Sequence, residues 1–537
     1  MDSIESAETL CDGEQERGRL LGRAALVGAG TLVSRMLGLA RDVTLAAVFD
    51  REATDAWWVA FTIPNALRSL LGEGAVASTV VPLLSHKLET EGEHAAQRFF
   101  ARVRGASLVA LIAVTILGML FARPLTELFA AGYRSRPAEF ERTVALTRAV
   151  FPYIFFMGTA ALGMAALNAK RRFGIAAFAP ALLNVVLIAC TLLLPSTFAA
   201  HGIDPILVLA VGALGGGAIQ ALAQVPALRA IGYASKPEFV FDADVRRVLQ
   251  RLLPLTFGIG VYYVDLVLSR RLLSGLGPGS QSYFSWAMRL CDFPQGIFVM
   301  ALSTAALPSL SALAAKGQRG ELAKTWAHGM GIALFFAIPA SVLFATLGEP
   351  IVVALFQRGA FDATSAHETS RALLWQGSAI WTVAAVRQTI PALYAMGDTR
   401  TPVIVSALDL MAFIALALGL RASLGHAGIS AAVAGSSAVQ MILLLVGLRR
   451  RLGTICGRTL ALSGGRTLAA SLVAGLAGVA MAGLLSHGRG ACSSLRALPG
   501  VGATGVYVMV FLGTTWALRS PEFLEIASAI GRRRREA

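Results

Sequence analysis

The sequence predicts an all-α polytopic membrane protein with about 14 transmembrane helices. Apolar runs near the length of a bilayer-spanning helix recur along the whole chain of 537 residues. Charged residues make up only 15% of the chain, and the mean hydropathy is +0.65. A soluble protein would carry roughly 25% charged residues. The runs also lack the alternation of apolar and polar residues that a transmembrane β-barrel requires.

The expected spans follow one another with short polar loops between them. They lie at about 22–49, 55–83, 104–122, 145–168, 176–195, 204–229, 250–273, 282–312, 324–347, 370–396, 402–421, 427–448, 467–486 and 500–518. The run IVVALF at 351–356 is too short to span, so we place it in a loop or a re-entrant turn.

Basic residues in the loops predict the orientation of the chain, because Lys and Arg concentrate on the cytoplasmic side. They follow the second, fourth, sixth, eighth and twelfth spans, and the chain ends in GRRRREA. The loop at 123–142 carries four arginines and is an exception. We expect both termini in the cytoplasm, with a polar tail at 1–20 and a basic tail at 521–537. The formal net charge of +15 thus reflects membrane topology, and we expect no nucleic-acid partner.

Two halves of the chain resemble each other, which predicts two pseudo-symmetric six-helix lobes around a central cavity. The fourth span ends in LNAKRRF before Pro180, and the tenth ends in LYAMGDTR before Pro402. Each is a helix, a short basic turn and a proline near the start of the next helix. We place the N-terminal lobe at 21–230 and the C-terminal lobe at 231–450. The two further spans, within 451–520, have no counterpart in this repeat.

Arginines inside the apolar spans predict that the cavity is wet and cationic. At the centre of a membrane helix each would cost roughly 2.5–3.5 kcal/mol if it faced lipid. A guanidinium stays charged and binds two phosphate oxygens at once, so we expect a phosphorylated ligand. The predicted phosphate-binding residues are Arg35, Arg41, Arg68 and Arg289. The predicted supporting charges, which orient or pair with them, are Asp42, Asp55, Glu73, Asp292 and Arg387.

Each of these assignments has a structural alternative. The charges could form ion pairs that only stabilise the fold, or extend from the ends of spans toward water. Gly38, Gly72 and Gly74 are predicted hinges, with close helix packing as the alternative. Asp265 and Asp409 are lone acids in apolar spans, and each is either a coupling-ion ligand or a buried neutral acid or ion-pair partner.

Several sequence blocks resemble the MurJ (MviN) family of lipid II flippases, part of the MOP exporter superfamily. The blocks are SRMLGLARD, ATDAWWVAFTIPNALRSLLGEGA, YFSWAMRLCDFPQG, LFQRGAF and GDTRTPV. The resemblance runs in collinear order through about residues 20–450 and continues more loosely to the end. The first two blocks are highly specific, while the GDTRTP turn is shared more widely.

This resemblance implies a transporter rather than an enzyme. It implies that lipid II, undecaprenyl-diphospho-MurNAc-pentapeptide-GlcNAc, moves from the inner to the outer leaflet of the bacterial cytoplasmic membrane by alternating access. The helices within 451–520 would help to form a groove for the polyprenyl tail. The family's cavity arginines and acids correspond to the arginines and acids named above. We expect a monomer, with cell-wall synthesis proteins as candidate partners.

The resemblance implies no cofactor, and it leaves either Na⁺ or the membrane potential as the driving force. Family members with a sodium site use an acid in the seventh helix together with Asn or Asp in the eleventh. Asp265 matches the first position and is our candidate metal ligand. Phe413 and Ala417 stand at the corresponding eleventh-helix positions, so the second part of that pattern is missing.

Two other functions remain open from the residues alone. An exporter of the same superfamily could carry drugs or polyprenyl-linked oligosaccharides such as O-antigen units, although a cationic-drug antiporter would need an acidic cavity. A polyprenyl-dependent glycosyltransferase would need a catalytic carboxylate in a substantial outer loop. The loop at 123–142 offers Glu127 and Glu139 for that role.

Overall fold

A computed structural model describes residues 26, 28–68, 74–258, 260–486 and 496–536. Within these ranges all regular structure is helical, which confirms the all-α prediction. Nine helical segments of the described residues are long and apolar enough to cross a membrane. The polytopic prediction is therefore confirmed, while the count of about 14 spans stays a prediction.

The helices are numbered here in chain order. They are α1 (28–48), α2 (Arg51–Arg68), α3 (Gly74–Thr90), α4 (Glu93–Leu120), α5 (Ala122–Phe129), α6 (Pro137–Val150), α7 (Tyr153–Ala169), α8 (Phe173–Leu193), α9 (Pro195–Ala200), α10 (Val208–Ala230), α11 (Ala243–Gly258), α12 (Gly260–Ser274), α13 (Ser280–Pro294), α14 (Met300–Ala315), α15 (Arg319–Phe356), α16 (Ala363–Ser378), α17 (Ile380–Ala395), α18 (Arg400–Leu424), α19 (His426–Leu452), α20 (Gly457–Ser486), α21 (Leu498–Ala517) and α22 (Pro521–Glu536).

The described residues form two compact units, one up to Arg271 and one from Leu272. The predicted lobes at 21–230 and 231–450 stay a prediction. In the first unit, α10 packs closely on α8 because glycines replace side chains at the contact. A Cβ atom added to Gly216 would lie 2.9 Å from Leu183 Cα, closer than real Cβ atoms approach. Only glycine allows these two backbones to approach so closely.

Loops that the sequence predicts to be cytoplasmic lie together at one end of the first unit. Lys87 at the end of α3 pairs with Asp244 at 2.6 Å. Lys170 after α7 pairs with Glu93 at the start of α4 at 2.5 Å. Arg102 holds the segment that joins α10 to α11, through Asp242 at 2.6 Å. Loops that the sequence assigns to the same side of the membrane thus lie at the same end of the unit, as expected if the helices between them cross the membrane.

The basic loop at 123–142, the exception to the charge rule, lies at the opposite end and is largely helical. It contains α5, a 3₁₀ turn (Ala131–Ser135) and the start of α6. Each of its arginines has a carboxylate partner. The pairs are Arg123–Glu141, Arg134–Glu127, Arg136–Glu139 and Arg142–Asp204. These arginines are therefore all held in ion pairs within the fold at this end of the unit.

One prediction about the second unit is wrong. The run IVVALF at 351–356, placed in a loop or re-entrant turn, is the last part of the helix α15. This helix bends at Leu347, where φ is −118° and ψ is 16°, and then continues to Phe356. The sequence contains Pro350 just after the bend, and proline breaks the hydrogen-bond ladder without ending a helix that is packed on both sides.

Hydrogen bonds to the carboxylates of Asp398 and Glu522 stabilise one end of the second unit. Asp398, in the turn before α18, accepts hydrogen bonds from Thr401 N at 3.0 Å and Thr401 Oγ1 at 2.8 Å. Arg451 at the end of α19 donates to the same carboxylate at 3.0 Å. The predicted basic tail is helical as α22, and its Glu522 accepts a hydrogen bond from Ser463 of α20.

Replacing Asp398 with Asn should destabilise the protein at neutral pH and reduce its acid sensitivity. The backbone hydrogen bond from Thr401, followed by the contacts of Arg451, lowers the pKa of the Asp398 carboxyl. A group with a depressed folded-state pKa stabilises the fold above its unfolded pKa of about 4, and the contribution disappears as the pH falls through the folded pKa. We expect Asp398→Asn to cost about 1–2 kcal/mol at neutral pH.

Thermal unfolding of the detergent-solubilised protein, followed by intrinsic fluorescence from neutral to acid pH, measures this. Glu89→Gln is the matched control, since Glu89 is an exposed carboxylate for which the structure shows no ion pair. An unchanged pH dependence in Asp398→Asn would contradict the assignment.

Candidate functional site

Arg41 is buried in α1 and is held on one side by two partners. Its Nε and Nη2 atoms donate to Asp42 Oδ1 at 2.8 and 2.6 Å. Its Nη1 atom donates to Asn184 Oδ1 of α8 at 3.1 Å. Arg41 is 8% exposed and Asp42 is fully buried. A buried charge is tolerated only when it is paired and hydrogen-bonded, and both conditions hold here.

Asn184 fixes this guanidinium because it is itself fixed by α1. Its Nδ2 atom donates to the backbone oxygen of Ser34 at 3.2 Å, so one side chain joins two points of α1. The two helices approach closely one turn earlier, where a Cβ atom on Gly30 would lie 2.6 Å from Ala177 O. The contact between α1 and α8 therefore determines where Arg41 lies.

The sequence interpretation did not include Asn184, although a signal was present. Asn184 is a polar amide in the otherwise apolar helix FGIAAFAPALLNVVLIACTLL. A polar side chain in such a helix needs a partner, and α1 offers buried charge and backbone oxygen. The identity of the partner could not be read from the sequence, because the two residues lie 143 positions apart.

Arg68 lies at the end of α2, half-buried, and its Nε atom donates to Asn65 Oδ1 at 3.0 Å. Pro64 precedes this pair inside the helix. Aromatic residues pack beside them, with Trp57 and Phe61 stacked at 4.7 Å between ring centroids. An amide oxygen thus takes part in orienting both arginines, that of Asn65 for Arg68 and that of Asn184 for Arg41.

Asp55 lies at the start of α2, only 1% exposed. It faces the 3₁₀ turn between α5 and α6. Burial of the phenol, together with the negative charges of Asp55 and Glu139, raises the pKa of Tyr133. A buried arginine that the sequence interpretation missed lies nearby in the same unit: Arg270 of α12 is 5% exposed and lies 6.0 Å from the ring of Trp58.

The second unit contains the remaining predicted charges. Arg289 and Asp292 lie half-buried near the end of α13. A π-helical turn, Gln295–Val299, follows them and joins α13 to α14. Arg387 lies half-buried in α17, and its backbone oxygen accepts a hydrogen bond from Ser303 of α14 at 2.7 Å. Such π-turns frequently occur at functional sites, which makes this segment a candidate for one.

The structure describes only some of the remaining predicted residues. Gly72 and Glu73 lie outside the described residues, and Gly74 is the first residue of α3. Gly38 lies inside α1, where an added Cβ atom would come no closer than 3.9 Å to Asn184. Close packing therefore does not require glycine at this position in this conformation, and the hinge assignment of Gly38 stays a prediction.

Asp265 is half-buried in α12. Within the described ranges, no group of three or more His, Cys, Asp or Glu side chains is placed to hold a metal ion. The assignment of Asp265 as a cation ligand stays a prediction.

The sequence of this chain matches a family model described as "Lipid II flippase MurJ" over residues 45–497. A probable lipid II flippase MurJ from Bdellovibrio bacteriovorus is 33% identical over 444 residues, which cover 81% of this chain and 83% of that protein. The lipid II flippase MurJ of Burkholderia cenocepacia is 32% identical over 443 residues, which cover 80% of this chain and 84% of that protein.

The chain belongs to the MurJ family of lipid II flippases. Among solved structures, a lipid II flippase MurJ in an inward closed conformation aligns with a TM-score of 0.74 at 22% identity, over 92% of this chain and 98% of that chain. An inward-facing multidrug resistance MATE transporter of the MOP superfamily aligns with a TM-score of 0.65 at 14% identity, over 79% and 96% of the two chains. At these identities the structural likeness concerns the fold alone.

Membership of the MurJ family decides between the functions that the residues left open. A flippase is a transporter, so the glycosyltransferase alternative is wrong. The carboxylates proposed for it, Glu127 and Glu139, are instead ion-pair partners of Arg134 and Arg136. The MATE likeness extends only to the fold and does not favour a drug substrate.

Replacing Asn184 with Ala should destabilise the MurJ-family fold at the α1–α8 contact. The change removes the Asn184 hydrogen bond to a buried guanidinium and the one to the Ser34 backbone. A hydrogen bond to a charged group contributes about 1.5–3 kcal/mol. Thermal unfolding in detergent measures the loss. Asn168→Ala in α7 is the control, since the structure shows no hydrogen bond for the Asn168 amide. Equal unfolding temperatures for the two variants would contradict the prediction.

Two glycine substitutions in α1 should separate packing from hinge motion. Gly30→Ala forces a side chain into the Ala177 backbone and should cost about 1–3 kcal/mol. Gly38→Ala makes only ordinary van der Waals contact with Asn184 and should change stability by no more than about 1 kcal/mol, while it stiffens α1 and slows transport. Unfolding temperature and lipid II transport in proteoliposomes measure the two effects. Wild-type transport in Gly38→Ala would show that this glycine is not a hinge.

Proposed function

We propose that this chain carries lipid II from the inner to the outer leaflet of the bacterial cytoplasmic membrane, and that its buried arginines bind the diphosphate. The proposed phosphate-binding residues are Arg35, Arg41, Arg68 and Arg289. Asp42, Asp55, Glu73, Asp292 and Arg387 orient them. Both termini are cytoplasmic in this proposal, and the protein acts as a monomer.

The main support for the proposal is the hydrogen bonding of the Arg41 guanidinium. A guanidinium has five N–H donors, and Arg41 uses three of them, two toward Asp42 and one toward Asn184. One donor on Nη1 and one on Nη2 are left over, and such donors can bind phosphate oxygens. A guanidinium kept only for stability would instead use its donors fully within the fold.

Asp42 stabilises this site when no ligand is bound. Its carboxylate neutralises Arg41, so the empty site does not hold an isolated charge at bilayer depth. A diphosphate that reaches Arg41 competes with Asp42 for the guanidinium and brings more negative charge than one carboxylate. Bound ligand then shifts the balance between inward-open and outward-open states only by its difference in affinity for the two.

We propose the membrane potential as the driving force. It contributes roughly 2.3 kcal/mol per elementary charge per 100 mV. Sodium coupling would need several oxygen ligands, whereas Phe413 and Ala417 present only apolar side chains in α18, 2% and 0% exposed. Transport that requires a sodium gradient and ignores an imposed potential would contradict this part of the proposal.

The arginine contacts are tested by reconstitution in proteoliposomes with labelled lipid II, scored for exposure in each leaflet. Arg41→Ala should weaken lipid II binding roughly 10- to 100-fold, the usual loss for a charge-assisted pair. Arg41→Lys keeps the charge but loses the planar fork, so its affinity should lie between wild type and Arg41→Ala. Arg35→Glu and Arg289→Glu should abolish transport while membrane insertion stays intact.

Arg98→Ala is the matched control, because Arg98 lies on α4 and takes no part in this site. The diphosphate assignment fails if alanine variants of Arg35, Arg41, Arg68 and Arg289 all transport lipid II like Arg98→Ala. The wider proposal of lipid II transport fails if the wild-type protein does not change the leaflet distribution of labelled lipid II.

A further inference from the structure

A groove on the first unit shares no residue with the proposed diphosphate site. It lies between α4, α7 and α10 and has a volume of about 450 Å³, its open mouth included. Its walls are mostly apolar, with Leu108, Leu111 and Val225 among the lining residues. Exposed apolar side chains flank it on both walls, Val109 at 56% exposure and Leu222 at 65%. Such side chains face acyl chains in a membrane, so the groove opens toward lipid.

A buried amide borders this groove and lacks a partner. Gln224 of α10 lines the groove and is 1% exposed. Its Nε2 atom donates to Gln220 O at 3.3 Å, but its Oε1 atom has no hydrogen-bond partner within the described part of the chain. Gly163 leaves room for this amide, since a Cβ atom there would lie 2.5 Å from Oε1. A buried acceptor at bilayer depth needs a donor, and the groove is the space from which one can come.

The end of the groove near the α10–α11 segment is cationic. Arg104 of α4 lines the groove, and its Nη1 atom donates to the backbone oxygen of Ser235 at 3.1 Å. The structure shows no carboxylate paired with Arg104 among the described residues. Lys236 is exposed beside Ser235, and the same segment crosses α4 at Gly105, where a Cβ atom would lie 2.1 Å from Glu238 O. A half-exposed arginine at the cytoplasmic interface suits a lipid phosphate.

We propose that this groove binds an anionic phospholipid of the inner leaflet. One acyl chain lies between α4 and α10, and the phosphate binds Arg104. Gln224 lines the same groove about one and a half turns before the end of α10, and in this proposal the lipid's ester groups lie beside it. Because an ester carbonyl and Gln224 Oε1 are both acceptors, a water between them donates one hydrogen bond to each. The site is independent of lipid II transport.

Phosphatidylglycerol that carries a photoreactive group on one acyl chain tests the site on the purified, full-length protein. Cross-links should map to the groove-lining stretches of α4 and α10. Arg104→Gln should lower the phosphatidylglycerol retained after detergent washing roughly tenfold, the loss expected for a charge-assisted phosphate contact. Arg98→Gln, on the same helix but outside the groove, should change it by no more than about twofold.

Two tryptophan variants test the acyl chain separately from the headgroup. Ala221→Trp fills the groove and should remove the cross-link, whereas Leu222→Trp places the same ring on the lipid-facing surface and should leave it. The proposal is overturned if phosphatidylethanolamine with the same chains is retained equally, or if Arg104→Gln retains phosphatidylglycerol like wild type. It is also overturned if undecaprenyl phosphate displaces the probe at equal concentration, since the groove would then belong to a polyprenyl ligand.

Discussion

The contact between Arg41, Asp42 and Asn184 is the constraint on which the site in the first unit depends. It buries a guanidinium within α1 and balances its charge with a fully buried carboxylate. It also joins α1 to α8 through an amide that is itself bonded to the α1 backbone. If any one of the three were removed, a buried charge or a buried amide would lose its partner, which is more costly than losing the interaction itself.

The same principle explains where the other charges lie. Charges at the two ends of the first unit are matched locally, by Lys87 with Asp244 at one end and by Arg142 with Asp204 at the other. Charges inside the spans are fewer, and polar amides such as Asn65 and Asn184 take part in holding them. In the proposed function, the ends stay fixed while the diphosphate competes for the inner guanidiniums. The proposed lipid groove differs from this pattern, because no carboxylate among the described residues pairs with Arg104 there.

Much of this could be predicted from the sequence because membrane insertion constrains composition strongly. Apolar runs gave the helices, and charges inside those runs marked Arg41, Asp42 and Arg68 as unusual. Asn184 and Arg270 were missed because their roles depend on which helices pack together, which the periodicity of α8 or α12 does not encode. The run at 351–356 was misplaced because its length was judged alone, whereas the helix continues through the bend at Leu347. The neutral pairing of the loop at 123–142 likewise needed tertiary contacts, such as that of Arg142 with Asp204.

The most direct test of the central claim is the distance between the guanidinium nitrogens and the phosphorus atoms of bound lipid II. Solid-state NMR on the reconstituted protein, with ¹⁵N-labelled arginine and the natural ³¹P of the diphosphate, measures this dipolar coupling. We expect an arginine signal that is dephased by phosphorus in the wild type, less so in Arg41→Lys, and as in the wild type in Arg98→Lys. Full binding of lipid II with no nitrogen–phosphorus coupling from any arginine side chain would contradict it.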